Sequence, residues 1–135
     1  MALAISLGRR NLGQTSPNPS VGCVIVKNGV IVGRGCTAQT GRPHAETQAL
    51  NQAGSKAKGA TAYITLEPCS HEGKTPPCAH ALVEAGIKRT VIAVLDPDER
   101  VNGKGISILE AAGIEVQVGV LEKQASLDHS GFFFT

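Results

Sequence analysis

Residues 60–95 read ATAYITLEPCSHEGKTPPCAHALVEAGIKRTVIAVL, in which two apolar runs flank a segment rich in proline and cysteine. The runs at 60–67 and 89–95 have the length and the apolar content of buried strands. Residues 77–85 between them predict a helix that Gly86 ends. A strand, a helix and a second strand in this order predict a parallel pair joined by a right-handed crossover.

The chain before this unit predicts an antiparallel addition to the sheet. Residues 21–35 hold two β-branched runs around Asn28 and Gly29, which is a two-residue signal for a hairpin. A helix is predicted over residues 44–53, and the apolar positions of residues 1–13 indicate a short amphipathic helix.

The chain after the unit continues the alternation, with a helix predicted over residues 105–112 and a last strand over 114–120. Crossovers of this kind predict helices on both faces of the sheet, and the hairpin makes the sheet mixed. We therefore predict one α/β domain over residues 1–135, with three α/β/α layers and a mixed, mostly parallel five-stranded sheet.

The composition narrows the class of protein. A chain of 135 residues with 41% hydrophobic and 18% charged residues is typical of one globular domain. The net charge of +2 and the aromatic content of 3% indicate no basic, aromatic surface for nucleic acid. No apolar run approaches the roughly 18 residues that cross a bilayer, and the four cysteines do not resemble a secreted disulfide frame. We expect a cytoplasmic protein whose partners are neither nucleic acid nor membrane.

Four side chains with metal-binding or acid–base chemistry fall at predicted junctions between strands and helices. His44 and Glu46 lie at the start of one helix, Cys69 follows a strand, and Cys78 opens the next helix. In an open α/β sheet this is the edge at which ligands bind. Because residues two apart do not share a face of a regular helix, His44 and Glu46 can converge only if His44 occupies the cap position.

One histidine and two cysteinates are a ligand set suited to Zn²⁺, and three protein ligands leave the fourth tetrahedral position open, as a catalytic zinc requires. Glu46 is then the natural general acid and base beside a metal-bound water. His44 and Glu46, followed by Pro68-Cys69 and Cys78, match the zinc-deaminase signature H-x-E…P-C-x-x-C. The match has one departure, because eight residues separate the cysteines instead of two.

The remaining candidates have simpler interpretations, and the residues alone leave rival functions open. Cys23 and Cys36 lie in or beside the hairpin and are expected to be small buried side chains, and His80 is expected on a helix surface. A structural zinc module would need a fourth protein ligand, for which His71 is the nearby candidate. A deaminase of nucleosides, nucleobases or transfer RNA would also use the zinc set.

The segment between the two cysteines carries a more specific resemblance. TLEPCSHEGKTPPC at residues 65–78 resembles the deaminase domain of the bifunctional riboflavin biosynthesis protein, diaminohydroxyphosphoribosylaminopyrimidine deaminase. In that family the segment typically reads C-S-H-x-G-(K/R)-T-P-P-C. The similarity extends through SPNPSVGCVIVKNG, HAETQAL, GATAYITLEP and LDP, and so covers essentially the whole chain. It implies a cytidine deaminase-like fold.

The resemblance also implies a reaction in riboflavin biosynthesis. The substrate would be 2,5-diamino-6-ribosylamino-4(3H)-pyrimidinone 5′-phosphate, deaminated hydrolytically to 5-amino-6-ribosylaminouracil 5′-phosphate and ammonia. Zn²⁺ on His44, Cys69 and Cys78 would be the cofactor, and Glu46 would move the protons. A reductase domain, in the same or a separate chain, is implied as a partner, while the oligomeric state stays open, a homo-oligomer included.

Four substrate contacts are implied by the same resemblance. Asn18 matches a position beside the base, and His71 and Lys74 match positions that meet the ribose phosphate. Asp96 matches an aspartate directed toward the sugar.

Two positions depart from the family, and one segment lies beyond its motifs. Asp98 replaces a common asparagine and Thr37 replaces a frequent histidine. Both departures concern sugar-phosphate binding rather than the reaction. Residues 132–134 are three consecutive phenylalanines. We expect them at a junction with a reductase domain, the alternative being that they close this domain's own core.

Overall fold

The computed structural model describes residues 1–9, 21–37, 44–68, 78–95 and 103–120. Within these ranges the chain forms four α-helices, five strands and one short 3₁₀ helix. Their bounds are α1 Ala2–Arg9, β1 Gly22–Lys27, β2 Val30–Cys36, α2 Ala45–Ala53, the 3₁₀ helix Gly54–Ala57, β3 Thr61–Ile64, α3 Cys78–Glu84, β4 Arg89–Ile92, α4 Lys104–Ala111 and β5 Glu115–Val118.

The five strands form one mixed sheet in the order β2-β1-β3-β4-β5. β1 is antiparallel to both of its neighbours, whereas β3, β4 and β5 pair in parallel. Four of the five strands therefore run in the same direction, and the predicted mixed, mostly parallel sheet is confirmed. Two of the four pairings are antiparallel because the reversed strand lies inside the sheet.

The turn between β1 and β2 is the predicted hairpin. Asn28 and Gly29 have φ values of 53° and 78°. Positive φ at both central residues is the geometry that matches the twist of the two strands, and asparagine followed by glycine adopts it at low cost. Turn chemistry at these two positions therefore sets the register of β1 against β2.

Three layers are present, as predicted. Val24 of β1 packs with Ala4 and Leu7 of α1 on one side of the sheet, and Cys23 and Ile25 belong to the larger core on the other side. The larger core also includes residues from the other three helices, such as Ala49, Leu82 and Leu109. Because β3, β4 and β5 follow one another in order, the crossover helices α3 and α4 lie on the same face. The expectation that the crossovers alone place helices on both faces is therefore wrong, and α1 covers the other face.

Close packing of α2 on β2 positions the start of that helix. A Cβ at Gly33 would lie 2.2 Å from the carbonyl oxygen of Ala49, and one at Gly35 would lie 2.6 Å from that of Ala45. Both distances are shorter than any that real Cβ atoms show, so only glycine allows the backbones to approach this closely. The N-terminal end of α2 is consequently held directly against the sheet.

Two strands are shorter than the apolar runs that predicted them. β3 ends at Ile64 and β4 ends at Ile92, yet the chain beyond each end stays buried. Ala93 donates its N–H to the carbonyl of Ile64 at 3.0 Å, and Glu67 donates to Val94 at 2.9 Å. The apolar runs are longer than the strands because the residues beyond each strand end are also buried, although they lie outside the regular strand ladder.

The remaining predictions concern the burial of single side chains and the absence of a membrane-spanning segment. Cys23 is fully buried as predicted, whereas Cys36 is only half-buried because it lies on the edge strand β2. His80 is exposed on α3, as predicted. In the described ranges, no helix has the length and apolar character needed to span a membrane. The phenylalanines at 132–134 lie outside the described residues.

Candidate metal centre and active site

His44 occupies the cap position of α2. Its φ and ψ of −68° and 159° are extended, and α2 begins at the next residue. Its carbonyl accepts the N–H of Gln48 at 3.2 Å, the first bond of the helix. Because residues two apart do not share a face of a regular helix, His44 can converge with Glu46 only from the cap position. The structure meets this requirement, since His44 lies outside the regular helix.

His44 and Cys78 come together across 34 positions of sequence. The Nδ1 atom of His44 lies 3.3 Å from the Sγ atom of Cys78, which is the first residue of α3 and is 2% exposed. A nitrogen and a sulfur ligand of one tetrahedral zinc ion stand about 3.5 Å apart, given bonds of about 2.0–2.1 Å and 2.3 Å. The separation of the two side chains therefore fits a shared zinc ion.

Glu46 lies in the first turn of α2 and is 4% exposed. The negative charge of Glu46 acts on the thiol of Cys23 in β1. Burial, and to a lesser extent the negative charge of Glu46, hold the pKa of the Cys23 thiol well above its usual range. Cys23 is consequently a neutral, fully buried thiol, and sequence interpretation did not connect it with Glu46.

Two buried threonines hold the start of β1. The Thr37 hydroxyl accepts the N–H of Val21 at 2.9 Å, and the Thr65 hydroxyl accepts the N–H of Gly22 at 3.1 Å. Backbone bonds join the same pairs, from Thr37 to Val21 at 2.9 Å and from Thr65 to Gly22 at 3.1 Å. Thr37, one of the two departures from the family, is therefore a buried structural residue, 2% exposed.

A second buried carboxylate was missed by sequence interpretation. Glu67 is 5% exposed and follows the end of β3. Its Oε1 atom accepts the N–H of Gly103 at 3.1 Å, and its Oε2 atom accepts those of Gly105 at 3.0 Å and Ile106 at 3.4 Å. The available signal was the presence of a charged residue at the end of an otherwise apolar run, ATAYITLE.

The other predicted site residues lie outside the described ranges. Among the described residues, the structure brings His44 and Cys78 together but forms no group of three potential metal ligands. The third predicted ligand and the four predicted substrate contacts therefore stay predictions, as does the effect of the departure at residue 98. These residues are Cys69, Asn18, His71, Lys74, Asp96 and Asp98.

Comparison with known proteins agrees with this fold. A protein-family model described as the cytidine and deoxycytidylate deaminase zinc-binding region matches residues 1–94. The diaminohydroxyphosphoribosylamino-pyrimidine deaminase of Buchnera aphidicola subsp. Schizaphis graminum is 53% identical over 133 residues, covering 98% of this chain and 90% of that protein. The riboflavin biosynthesis protein RibD of Aquifex aeolicus is 56% identical over 133 residues, covering 98% of this chain and 37% of its own length.

A solved structure of a related protein has the same fold. The diaminohydroxyphosphoribosylaminopyrimidine deaminase/5-amino-6-(5-phosphoribosylamino)uracil reductase of Thermotoga maritima superposes with a TM-score of 0.92 at 44% identity, covering 98% of this chain and 39% of that one. The fold and the site thus define a cytidine deaminase-like zinc domain. The chain belongs, within that class, to the family of diaminohydroxyphosphoribosylaminopyrimidine deaminases. It spans little more than a third of the length of the RibD proteins that it matches.

Family membership confirms Zn²⁺ as the predicted cofactor, since the matching family is defined by its zinc-binding region.

Proposed function

We propose that this chain is a zinc-dependent deaminase domain acting on 2,5-diamino-6-ribosylamino-4(3H)-pyrimidinone 5′-phosphate. The products are 5-amino-6-ribosylaminouracil 5′-phosphate and ammonia. The observation that carries the proposal is the 3.3 Å approach of His44 and Cys78 at the starts of two helices, with the buried Glu46 two residues from the histidine. The 53% identity to a protein named for this reaction, over 90% of its length, supports the choice of substrate.

The metal would be held by His44, Cys69 and Cys78. Imidazole and thiolate are the ligands that zinc prefers, and three of them leave one tetrahedral position for solvent or substrate. When bound, the zinc ion would supply the Lewis acidity that makes water nucleophilic near neutral pH.

Glu46 is the residue that moves the protons. Its carboxylate takes a proton from the attacking water, whose oxygen bonds to carbon 2 of the pyrimidinone ring. The same carboxyl group passes this proton to a ring nitrogen. It then takes the proton of the new hydroxyl group on carbon 2 and gives it to the departing amine, so that the carbonyl forms, the bond from carbon 2 to the amine breaks, and ammonia leaves. Burial suits this role, because a carboxylate that is only 4% exposed exchanges its proton with the substrate rather than with bulk water.

Four further residues are proposed to bind the substrate. Asn18 would donate to and accept from the edge of the pyrimidinone, since its amide offers both kinds of group. His71 and Lys74 would contact the phosphate and Asp96 the sugar. The two threonine hydroxyls that accept the N–H groups of Val21 and Gly22 support the first of these assignments, because they anchor the chain three and four residues after Asn18.

The domain is proposed to work with a reductase domain, in the same or a separate chain. A relative whose name joins both activities superposes on this chain over 39% of its own length. We also propose that residues 1–135 form a single deaminase domain that acts in the cytoplasm.

Ultraviolet monitoring of the purified chain, given the diaminopyrimidinone phosphate, tests the proposal. We expect turnover with release of one ammonia per substrate, and no reaction with cytidine. Glu46→Gln should keep the zinc and the fold but lose activity by at least ~10²–10⁴, because an amide of the same shape cannot carry protons. Near-normal turnover by this variant would remove Glu46 from the mechanism. Failure to convert the phosphate, with cytidine converted instead, would contradict the substrate.

A further inference from the structure

The N-terminus of α4 is capped by a side chain from another part of the chain. The first four N–H groups of a helix have no partner within the helix. In α4 the cap is Gly103, whose own residue offers no side-chain bond. Glu67 accepts three of those four N–H groups, from Gly103, Gly105 and Ile106. A carboxylate at this end of a helix is stabilised by charge-assisted bonds and by the helix dipole.

The backbone around Glu67 is fixed as firmly as its side chain. Its N–H donates to the carbonyl of Val94 at 2.9 Å, which joins it to the chain leaving β4. The next residue, Pro68, is buried, and its carbonyl oxygen would lie 2.3 Å from a Cβ added to Gly105. The start of α4 is therefore pressed against Pro68 with no room for a side chain between them.

This arrangement lies directly before a predicted metal ligand, since Cys69 follows Pro68 in sequence. We infer that Glu67 is a positioning residue for the metal centre, which uses the start of α4 to fix the chain directly before Cys69. The inference rests on the proposed role of Cys69 as a zinc ligand. Glu67 itself acts through Cys69 and does not touch the reacting atoms.

The physical reason is preorganisation of the metal site. A tetrahedral zinc site needs its ligands held close to their final geometry before the ion arrives. Substituting a residue that orients a metal ligand from outside the coordination shell typically lowers metal affinity by about 10- to 100-fold. In this role Glu67 would restrain Cys69 from the N-terminal side, because it fixes the chain that connects β3 to this ligand.

Two variants and one control distinguish a role of Glu67 in positioning Cys69 from an effect on the stability of the fold. Glu67→Gln removes the charge and turns an amide N–H₂ toward the N–H donors of α4. Gly105→Ala leaves Glu67 intact but forces the start of α4 away from Pro68. Leu109→Ala is the matched control, because Leu109 is fully buried in α4 and takes no part in the contact with Glu67.

Zinc affinity is measured on the full 135-residue chain by competition with a chromophoric chelator, beside thermal unfolding and the visible spectrum of the cobalt-substituted form. We expect Glu67→Gln and Gly105→Ala to bind zinc about 10- to 100-fold more weakly and to alter the cobalt spectrum. Leu109→Ala should lose at least as much thermal stability and keep both zinc affinity and spectrum near those of the unsubstituted chain.

Zinc affinity of Glu67→Gln and Gly105→Ala within twofold of the unsubstituted chain would overturn the inference. An equal loss of affinity in Leu109→Ala would overturn it too, because the effect would then follow stability alone. Weak zinc binding by the unsubstituted chain would instead contradict the proposed metal centre, and this role with it. Full zinc affinity and an unchanged cobalt spectrum in Cys69→Ser would contradict the ligand assignment on which the role of Glu67 rests.

Discussion

Replacing Gly35 with alanine should disturb the active site more than it disturbs the fold. The added Cβ would lie 2.6 Å from the carbonyl oxygen of Ala45. Because real Cβ atoms stay at least 3.0 Å from such neighbours, the start of α2 must retreat from β2 by about 0.4 Å. Ala45 lies between His44 and Glu46, so the retreat moves the predicted metal ligand and the acid–base residue together.

Gly33 offers a matched control in the same interface. Its added Cβ would lie 2.2 Å from the carbonyl oxygen of Ala49 and 3.1 Å from the Cβ of Ala53, further along α2 from the site. The required retreat is about 0.8 Å, twice that at Gly35. Neither glycine has a positive φ, so both substitutions test steric contact and not backbone strain.

We therefore expect Gly33→Ala to lose more stability and Gly35→Ala to lose more activity. Overpacking lowers the free energy of unfolding by about 1–3 kcal/mol, and we expect the larger loss for Gly33→Ala. A displacement of 1 Å can cost about 10²-fold in rate, so the smaller shift at the site corresponds to roughly a 5- to 10-fold loss of turnover in Gly35→Ala. Urea unfolding and steady-state kinetics, at a temperature where both variants are folded, measure the two quantities. A greater loss of turnover in Gly33→Ala would refute the reasoning, because activity would then simply follow stability.

Three other predictions concern the phosphate of the substrate, the buried thiol of Cys23 and the C-terminal segment. Lys74→Ala should weaken binding of the phosphorylated substrate by about 1.5–3 kcal/mol, with little effect on a dephosphorylated analogue, and equal losses on both would mean that the lysine is structural. The raised pKa of Cys23 means that the folded chain keeps the thiol proton where the unfolded chain releases it, so the free energy of unfolding should fall as the pH rises above about 8.5. In Cys23→Ala the free energy of unfolding, measured by urea unfolding, should fall less steeply with rising pH. An unchanged dependence on alkaline pH would contradict this prediction. Serine at both Phe133 and Phe134 should reduce self-association in sedimentation experiments and leave thermal stability and zinc content nearly unchanged, whereas a large loss of stability would place them in the core.

Local chemistry accounts for the elements that sequence predicted well. The turn at Asn28 and Gly29 and the start of α2 depend on the backbone preferences of a few adjacent residues, which the sequence displays directly. The place of β1 between β2 and β3 depends instead on pairing at a distance, such as Val24 opposite Tyr63. No local period in the sequence indicates such a pairing, so the antiparallel contact of β1 with β3 is evident only from the structure.

The same distinction holds at the site. The spacing of His44 and Glu46 set the cap position of His44 as the condition for their convergence, because residues two apart do not share a face of a regular helix, and the structure meets that condition. Glu67 could not be assigned in this way, since its partners are backbone N–H groups 36 to 39 positions away. Backbone donors carry no sequence signature, and only the folded chain shows which carboxylate reaches them.

X-ray absorption at the zinc edge tests the metal centre most directly. For the purified chain we expect one zinc with two sulfur neighbours at about 2.3 Å and two nitrogen or oxygen neighbours at about 2.0–2.1 Å. Cys69 and Cys78 would supply the sulfurs, His44 would supply the outer-shell scattering of a single imidazole, and solvent would fill the fourth position. Scattering from two imidazoles would place His71 on the metal and make the site a closed structural one. A chain without zinc, or a zinc without sulfur neighbours, would contradict the assignment of His44, Cys69 and Cys78 as an open catalytic centre.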